Sequence, residues 1–168
     1  QIARAIGARA IGTSRTKAKL DRAMPLGLDH GIVVDRAKFA DDVLAATNGH
    51  GADVVLELVG GAYVPEDVMC MATLGRILLV GLVAGVTADL NLGAVLRKRL
   101  TIIGTALRSR SLDEKIAVSE VFARDIVPLF EQRKLAPVVD RVLPLDRAAE
   151  AHAFAEGNEP FGKIVLEV

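Results

Sequence analysis

Short apolar runs that alternate with amphipathic stretches predict an α/β domain built on a mostly parallel sheet. Three observations carry that reading. The apolar runs stop at glycine or at small polar residues, where strands turn into the next element. The stretches between them carry helical rather than alternating patterns, which is the signature of strand–helix–strand units. The chain is 51% hydrophobic with a mean hydropathy of +0.36, yet only 4% aromatic and without Trp. A core made of Ala, Val, Leu and Ile suits strands buried on both faces of a parallel sheet.

The elements follow in order. Residues 1–6 (Q-I-A-R-A-I) read as the back half of a helix stopped at Gly7, and the expectation is that the chain is the later part of a larger protein. Residues 8–12 (A-R-A-I-G) read as a strand, and 16–24 as an amphipathic helix with Pro25 at its end. A short buried strand at 32–34 precedes a helix at 39–47, stopped by N-G-H-G. The clearest strand is 52–59 (A-D-V-V-L-E-L-V), ending at Gly60 and Gly61. A helix at 63–72 carries Pro65 in its first turn; Thr73, Leu74 and Gly75 then turn the chain into a strand at 76–80 that ends at Gly81. A helix at 89–98, a strand from Leu100 to Leu107 and a long amphipathic helix at 112–132 follow. That helix places Ile116, Val121, Phe122, Ile126, Leu129 and Phe130 on or near one face, with a kink expected at Pro128. A strand at 138–143, a helix at 146–156 and a strand at 163–168 complete the chain. Crossovers are expected to be right-handed.

At 168 residues the chain has the size of one ordinary domain. With 21 basic and 21 acidic residues the net charge is zero, so no long-range field draws it to nucleic acid or an anionic membrane. The longest apolar run, 77–86, holds two glycines and is too short to span a bilayer. Cys70 is the single cysteine, so no internal disulfide forms, and a reducing, cytoplasmic setting is expected.

In parallel α/β sheets ligands bind beyond the carboxyl ends of the strands. Three such ends carry small residues here: Thr13 and Ser14, Gly60 and Gly61, and Gly81. Ordinary strand-to-helix turns account for each singly; three at one edge favour a flat ligand approaching the backbone. The first end is the most informative. NAD-selective sites place a carboxylate there for the ribose 2′-hydroxyl, whereas this chain has Ser14, Arg15 and, a turn later, Lys17 and Lys19. A hydroxyl and cations suit a 2′-phosphate, which favours NADP(H) over NAD(H). The plain alternative is a solvated basic start to a surface helix.

Five strings, A-R-A-I-G-T-S-R-T-K-A-K-L-D-R-A-M-P-L-G, G-A-D-V-V-L-E-L-V-G-G, L-G-R-I-L-L-V-G-L-V-A-G, G-T-A-L-R-S-R-S and the ending G-K-I-V-L-E-V, stand in the order and spacing of the medium-chain dehydrogenase/reductase superfamily. The chain resembles most its zinc-independent NAD(P)H:quinone oxidoreductase branch, over essentially its whole length; L-R-S-R-S and the ending are the more specific pointers. The resemblance implies a Rossmann-like, doubly wound sheet that here lacks its first strand and glycine-rich loop; neither G-x-G-x-x-G nor A-x-x-G-V-G occurs. It implies a truncated cofactor domain at 1–134 and a C-terminal segment at 135–168 that returns to an absent GroES-like catalytic domain. Ser14 and Arg15 match positions that contact the adenosine ribose or its 2′-phosphate, and Lys19 a lysine on that phosphate. Val59 lies on the adenine-ribose side. Val80, Gly81 and Leu82 match the approach to nicotinamide and its ribose, Ala106 and Leu107 the carboxamide, and Lys163 a C-terminal basic position that reaches the cofactor. Where many relatives carry a tyrosine near the adenine, this chain has Val34.

The resemblance implies an oxidoreductase that passes hydride from NADPH to a quinone or another α,β-unsaturated carbonyl. No catalytic residue is placed in this chain, and no zinc is expected: His30, His50 and His152 share no ligand spacing. The alone-standing fragment is expected to be inactive. The resemblance also implies a homodimer through the Leu100–Leu107 edge strand. Rival readings are a non-catalytic assembly module and an enoyl reductase domain of a larger synthase; a methyltransferase-type fold is disfavoured by Ser14 and Arg15. Glu57, inside an apolar strand, is expected to be a structural acid near the cofactor cleft, Cys70 a small buried hydrophobe, and His152 a helix-face residue. Arg108 and Arg110 flank Ser109 and are open to phosphate, substrate or a partner subunit.

Overall fold

The computed structural model describes residues 1–157 and 160–168. Helix α1 (Ile2–Ala5) is followed by β1 (Ile11–Ser14), α2 (Lys17–Ala23), β2 (His30–Val33), α3 (Ala40–Ala46), β3 (Ala52–Glu57), α4 (Tyr63–Cys70), β4 (Met71–Leu79), α5 (Leu92–Lys98) and β5 (Thr101–Gly104). Then come α6 (Leu112–Asp125), α7 (Val127–Glu131), β6 (Val139–Pro144), α8 (Ala148–Glu156) and β7 (Lys163–Glu167). All ladders between these strands are parallel, as the α/β reading requires.

The sheet is interrupted. β1 pairs with β2; β3, β4 and β5 form a three-stranded sheet in that order; β6 pairs with β7. No ladder joins β1 to β3 among the described residues, so each keeps one edge without strand partners. Side chains bridge the two pieces instead. Ile32 and Val34 from the β2 side, Phe39, Ala40 and Val43 from α3 and Cys70 from α4 form one buried cluster, against which Ile11 and Ala52 pack. A second cluster, Val68, Met71, Ile77 and Ala94, sits between α4, α5 and one face of the three-stranded sheet. That places Val55, Ile77 and Ile102 on the covered face. Val54, Leu56 and Ile103, which point to the opposite face, remain exposed.

Several boundaries differ from the sequence expectations. The first strand runs to Ser14, because Val34 N–H donates to Ser14 O (2.9 Å) and extends the pairing past Gly12. The turn expected at Thr73 to Gly75 is a bulge within β4: Ala52 faces Met71, but Val54 already faces Arg76, and Leu74 takes up the excess at φ +67°. The expected Leu100–Leu107 strand stops at Gly104, which leaves Ala106 and Leu107 in the loop beyond. The long C-terminal helix breaks at Ile126, before Pro128, since proline lacks an N–H and crowds the preceding turn. Its apolar face is not a core face here: no residue of α6 is buried, and Leu112, Ile116 and Phe122 are exposed.

Candidate functional site

The site grows from the end of β3. Glu57 closes that strand on the covered face and is 4% exposed. Its Oε1 accepts the backbone N–H of Val59 in a very short contact and that of Gly60 at 2.6 Å. The carboxylate therefore satisfies two backbone donors that a sharp turn would otherwise bury unpaired. The same turn is tied to the end of β4. Val80 and Gly81 N–H donate to Glu57 O (2.8 and 3.2 Å), Ala84 N–H to Val59 O (2.8 Å), and Gly61 N–H to Gly85 O (3.0 Å). One strand further, Thr105 N–H donates to Leu79 O (3.0 Å), so the loop with Ala106 and Leu107 starts beside the β4 end.

Five residues of this edge, Val59, Val80, Gly81, Leu82 and, next to them, Leu107, thus belong to three neighbouring strand ends, with Ala106 beside Leu107. Val80, Leu82 and Leu107 expose their side chains and make the rim apolar. The glycines have a cause other than a ligand. A Cβ on Gly60, which sits at φ +76°, would lie 2.6 Å from Gly85 O, and one on Gly81 would meet the Leu58 backbone. The two loops pack on each other so closely that only glycine fits, so the ordinary-turn reading accounts for these two glycines.

Ser14, Arg15 and Lys19 lie on the other piece of the sheet. Ser14 ends β1, and its Oγ accepts the N–H of Thr16 (3.2 Å). Arg15 is exposed; Lys19 is half-buried on α2. Lys17 is engaged with Asp21 (2.6 Å), so it adds little charge to this end. A hydroxyl and an exposed guanidinium are the donor chemistry of a phosphate ester site. No residue here forms the glycine-rich loop that a pyrophosphate needs. Lys163 opens β7, which pairs with β6 and not with the strands that carry the other nine positions; its N–H donates to Val138 O (2.8 Å).

Asp67, which sequence reasoning passed over, is the partner of Glu57. It is 3% exposed on α4, and its Oδ2 has no hydrogen-bond partner among the described residues. Burial, then the hydrogen bond and negative charge of Glu57, with a further push from Glu66, raise its carboxyl to about 9. The signal was there: Asp67 stands three residues after Val64 and one before Val68, inside the apolar stripe of its helix. Glu66, its neighbour, serves α3. Its Oε2 accepts the N–H groups of Phe39 and Ala40, both at 3.0 Å, and Oε1 meets Lys38 at 2.7 Å. Cys70 is buried, and desolvation pushes its thiol up to about 12, so it is the inert small hydrophobe expected. Among the described residues no group of three or more His, Cys, Asp or Glu side chains is placed to hold a metal ion. Among the described residues no helix is long and apolar enough to cross a membrane.

Parallel strands joined by helices, with their carboxyl ends gathered beside one another, are the architecture of the doubly wound α/β class that includes dinucleotide-binding domains. The chain belongs to the zinc-binding dehydrogenase family, whose model matches residues 1–123. It is 33% identical over 173 residues to a zinc-type alcohol dehydrogenase-like protein of Schizosaccharomyces pombe, covering 100% of this chain and 47% of that protein. It is 25% identical over 167 residues to a quinone oxidoreductase of Rattus norvegicus, 99% of this chain and 49% of that one. Among solved structures, an alcohol dehydrogenase-type protein from Sinorhizobium meliloti superposes with a TM-score of 0.83 at 33% identity over 100% of this chain and 46% of its own. An NAD-dependent alcohol dehydrogenase gives 0.78 at 33% (99% and 46%), and a 2-haloacrylate reductase 0.81 at 28% (99% and 52%). The fold is the Rossmann-like cofactor domain of these oxidoreductases, and the chain spans about half the length of the relatives it matches.

Proposed function

We propose that this chain is the cofactor-binding part of an NADP(H)-dependent reductase that passes hydride to a quinone or another α,β-unsaturated carbonyl. The observation that carries it is the contrast between strand ends on the two pieces of the sheet: a hydroxyl and a guanidinium after β1, and an apolar rim of Val80, Leu82 and Leu107 after β4 and β5. Ser14, Arg15 and Lys19 would hold the 2′-phosphate, and Val59 the adenosine side. Val80, Gly81, Leu82, Ala106 and Leu107 would flank the nicotinamide, with Lys163 supplying a further cation. When bound, the cofactor supplies the hydride; the chain's own share is to orient the ring and keep water from it. In this reading the chain's residues bind and orient the cofactor and hold no catalytic acid or base. The boundary between 134 and 135 goes with this reading, supported by β6 and β7 pairing, among the described residues, with each other alone. So do a cytoplasmic setting, supported by the lone buried thiol, and a homodimer through β5, supported by its place at a sheet edge.

Calorimetric titration with 2′,5′-ADP against ADP tests the reading at the adenosine end. Binding at least tenfold tighter for 2′,5′-ADP, reduced to the ADP level by Arg15→Ala, is expected, since one charge-assisted contact is worth roughly 1.5–3 kcal/mol. Equal binding of the two nucleotides overturns the NADP(H) preference, and binding of neither overturns the dinucleotide site.

A second reading, a non-catalytic assembly module, is favoured by one observation. Val54 and Leu56 on β3, with Leu58 just past its end, leave an exposed apolar row, and such rows mark contact surfaces.

A further inference from the structure

The buried pair Glu57 and Asp67 has no role in hydride transfer, yet it sits directly under the turn that borders the proposed cofactor edge. Two carboxyl groups, each less than 5% exposed, face each other across β3 and α4. Two neighbouring buried carboxylates repel, and neither is solvated. Their environments differ. Glu57 accepts two backbone N–H groups, from Val59 and Gly60. Asp67 Oδ2 has no donor among the described residues, so as a carboxylate it would be a buried orphan.

We propose that Asp67 is a positioning residue: it is held as the neutral acid and donates its proton to Glu57, which keeps the Glu57 carboxylate locked onto the backbone of the Val59–Gly60 turn. One proton is shared within the pair, and no other reactant is involved. The charges around the pair fit that state. Glu66, next along α4, is engaged outward by Lys38 and by the start of α3. Lys98 of α5 reaches the far end of α4, where its Nζ donates to Met69 O (2.6 Å) and Val68 O (3.2 Å). Cys70 Sγ donates to Asp67 O (3.4 Å) and stays neutral, as its raised thiol pKa requires. The link to the cofactor rests on the reading proposed above; the proton-sharing itself does not.

The sign follows from linkage. A carboxyl that is neutral in the fold and ionised in the unfolded chain binds more protons when folded, so its contribution to stability declines as pH rises from about 4 toward 9 and is flat above that. The test is thermal unfolding of the chain, Asp67→Asn and Asp67→Ala from pH 5 to 10. Asparagine keeps a donor toward Glu57 and cannot titrate. The gap between Asp67→Asn and the parent chain is expected to move in favour of the variant by several degrees from pH 5 to 9 and then level off. Asp67→Ala is expected to melt lower than Asp67→Asn at every pH. Parallel curves for the parent chain and Asp67→Asn overturn the proposal. On the unmodified chain, carbon NMR of side-chain carboxyls is expected to find one that titrates near 9; if every carboxyl ionises below pH 6, the proposal fails. Neither arm uses a nucleotide, so both stand or fall apart from the cofactor reading.

Discussion

Gly81 lies so close to Leu58 that a Cβ on the glycine would sit 2.6 Å from the Leu58 carbonyl oxygen. The contact locks the end of β4 against the end of β3, and Val80 and Gly81 N–H both donate to Glu57 O beside it. Gly81→Ala is therefore expected to cost about 1–3 kcal/mol, the usual penalty of overpacking. Urea unfolding monitored by circular dichroism reads it as a lower midpoint with an unchanged slope. A midpoint within error of the parent chain shows that the loops are looser than this packing.

Ile77 is 0% exposed and stands between α4, α5 and the sheet. Ile77→Ala is expected to cost about 2–5 kcal/mol, from lost transfer energy and a cavity. With marginal stability this variant is expected to be partly unfolded at 37 °C, measured by amide hydrogen exchange.

Glu66 links α4 to α3 through Lys38 and the first amides of the helix. Burial works to raise its pKa, but Lys38 and the Ala40 and Phe39 amides outweigh it and hold the carboxyl below its usual range. A depressed folded pKa means that this stabilisation is complete above the unfolded value near 4.5 and disappears as pH falls through the lower folded value. Glu66→Gln is expected to lose about 1 kcal/mol at pH 7 and less than that at pH 3. Chemical unfolding at both pH values gives the comparison; an equal loss at both means that charge plays no part in the cap.

β5 ends the three-stranded sheet, and Ile103 on it is exposed. A dimer through this edge predicts that sedimentation equilibrium finds twice the chain mass, and that Ile103→Lys returns the monomer, since a charged edge strand resists pairing. A monomeric parent chain at high micromolar concentration removes this interface.

Leu56 is 65% exposed on β3, an outer strand of the bare sheet face. Leu56→Gln is expected to change stability by less than about 0.5 kcal/mol while lowering light scattering at high concentration. Unchanged scattering would place self-association elsewhere.

Much of the fold was legible in the chain because strand and helix periods are local. The run expected at 52–59 forms β3 as far as Glu57, and the helix expected at 63–72 forms α4 as far as Cys70. Boundaries moved where neighbours intervened: Ser14 joined β1 because it pairs with Val33 and accepts the N–H of Val34, and residues 72–75 stayed in β4 as a bulge because β3 pairs on both sides of them. Of the site, the polar end at Ser14 and Arg15 and the rim at Val80 to Leu82 could be named from residue type and position after a strand. Asp67 could not be paired with Glu57, because ten residues and a reversal of chain direction separate them.

The sequence by itself determined the parallel α/β class, the order of its elements and the chemical character of each strand end, since these follow from periodicity, turn residues and side-chain type within a few residues. Only the tertiary structure decided that the sheet divides between β1 and β3, that α6 buries none of its apolar face, that Gly60 and Gly81 serve loop packing, and that Asp67 meets Glu57 away from water. Backbone pairing and burial depend on which distant segments share space, and a local pattern carries no record of that.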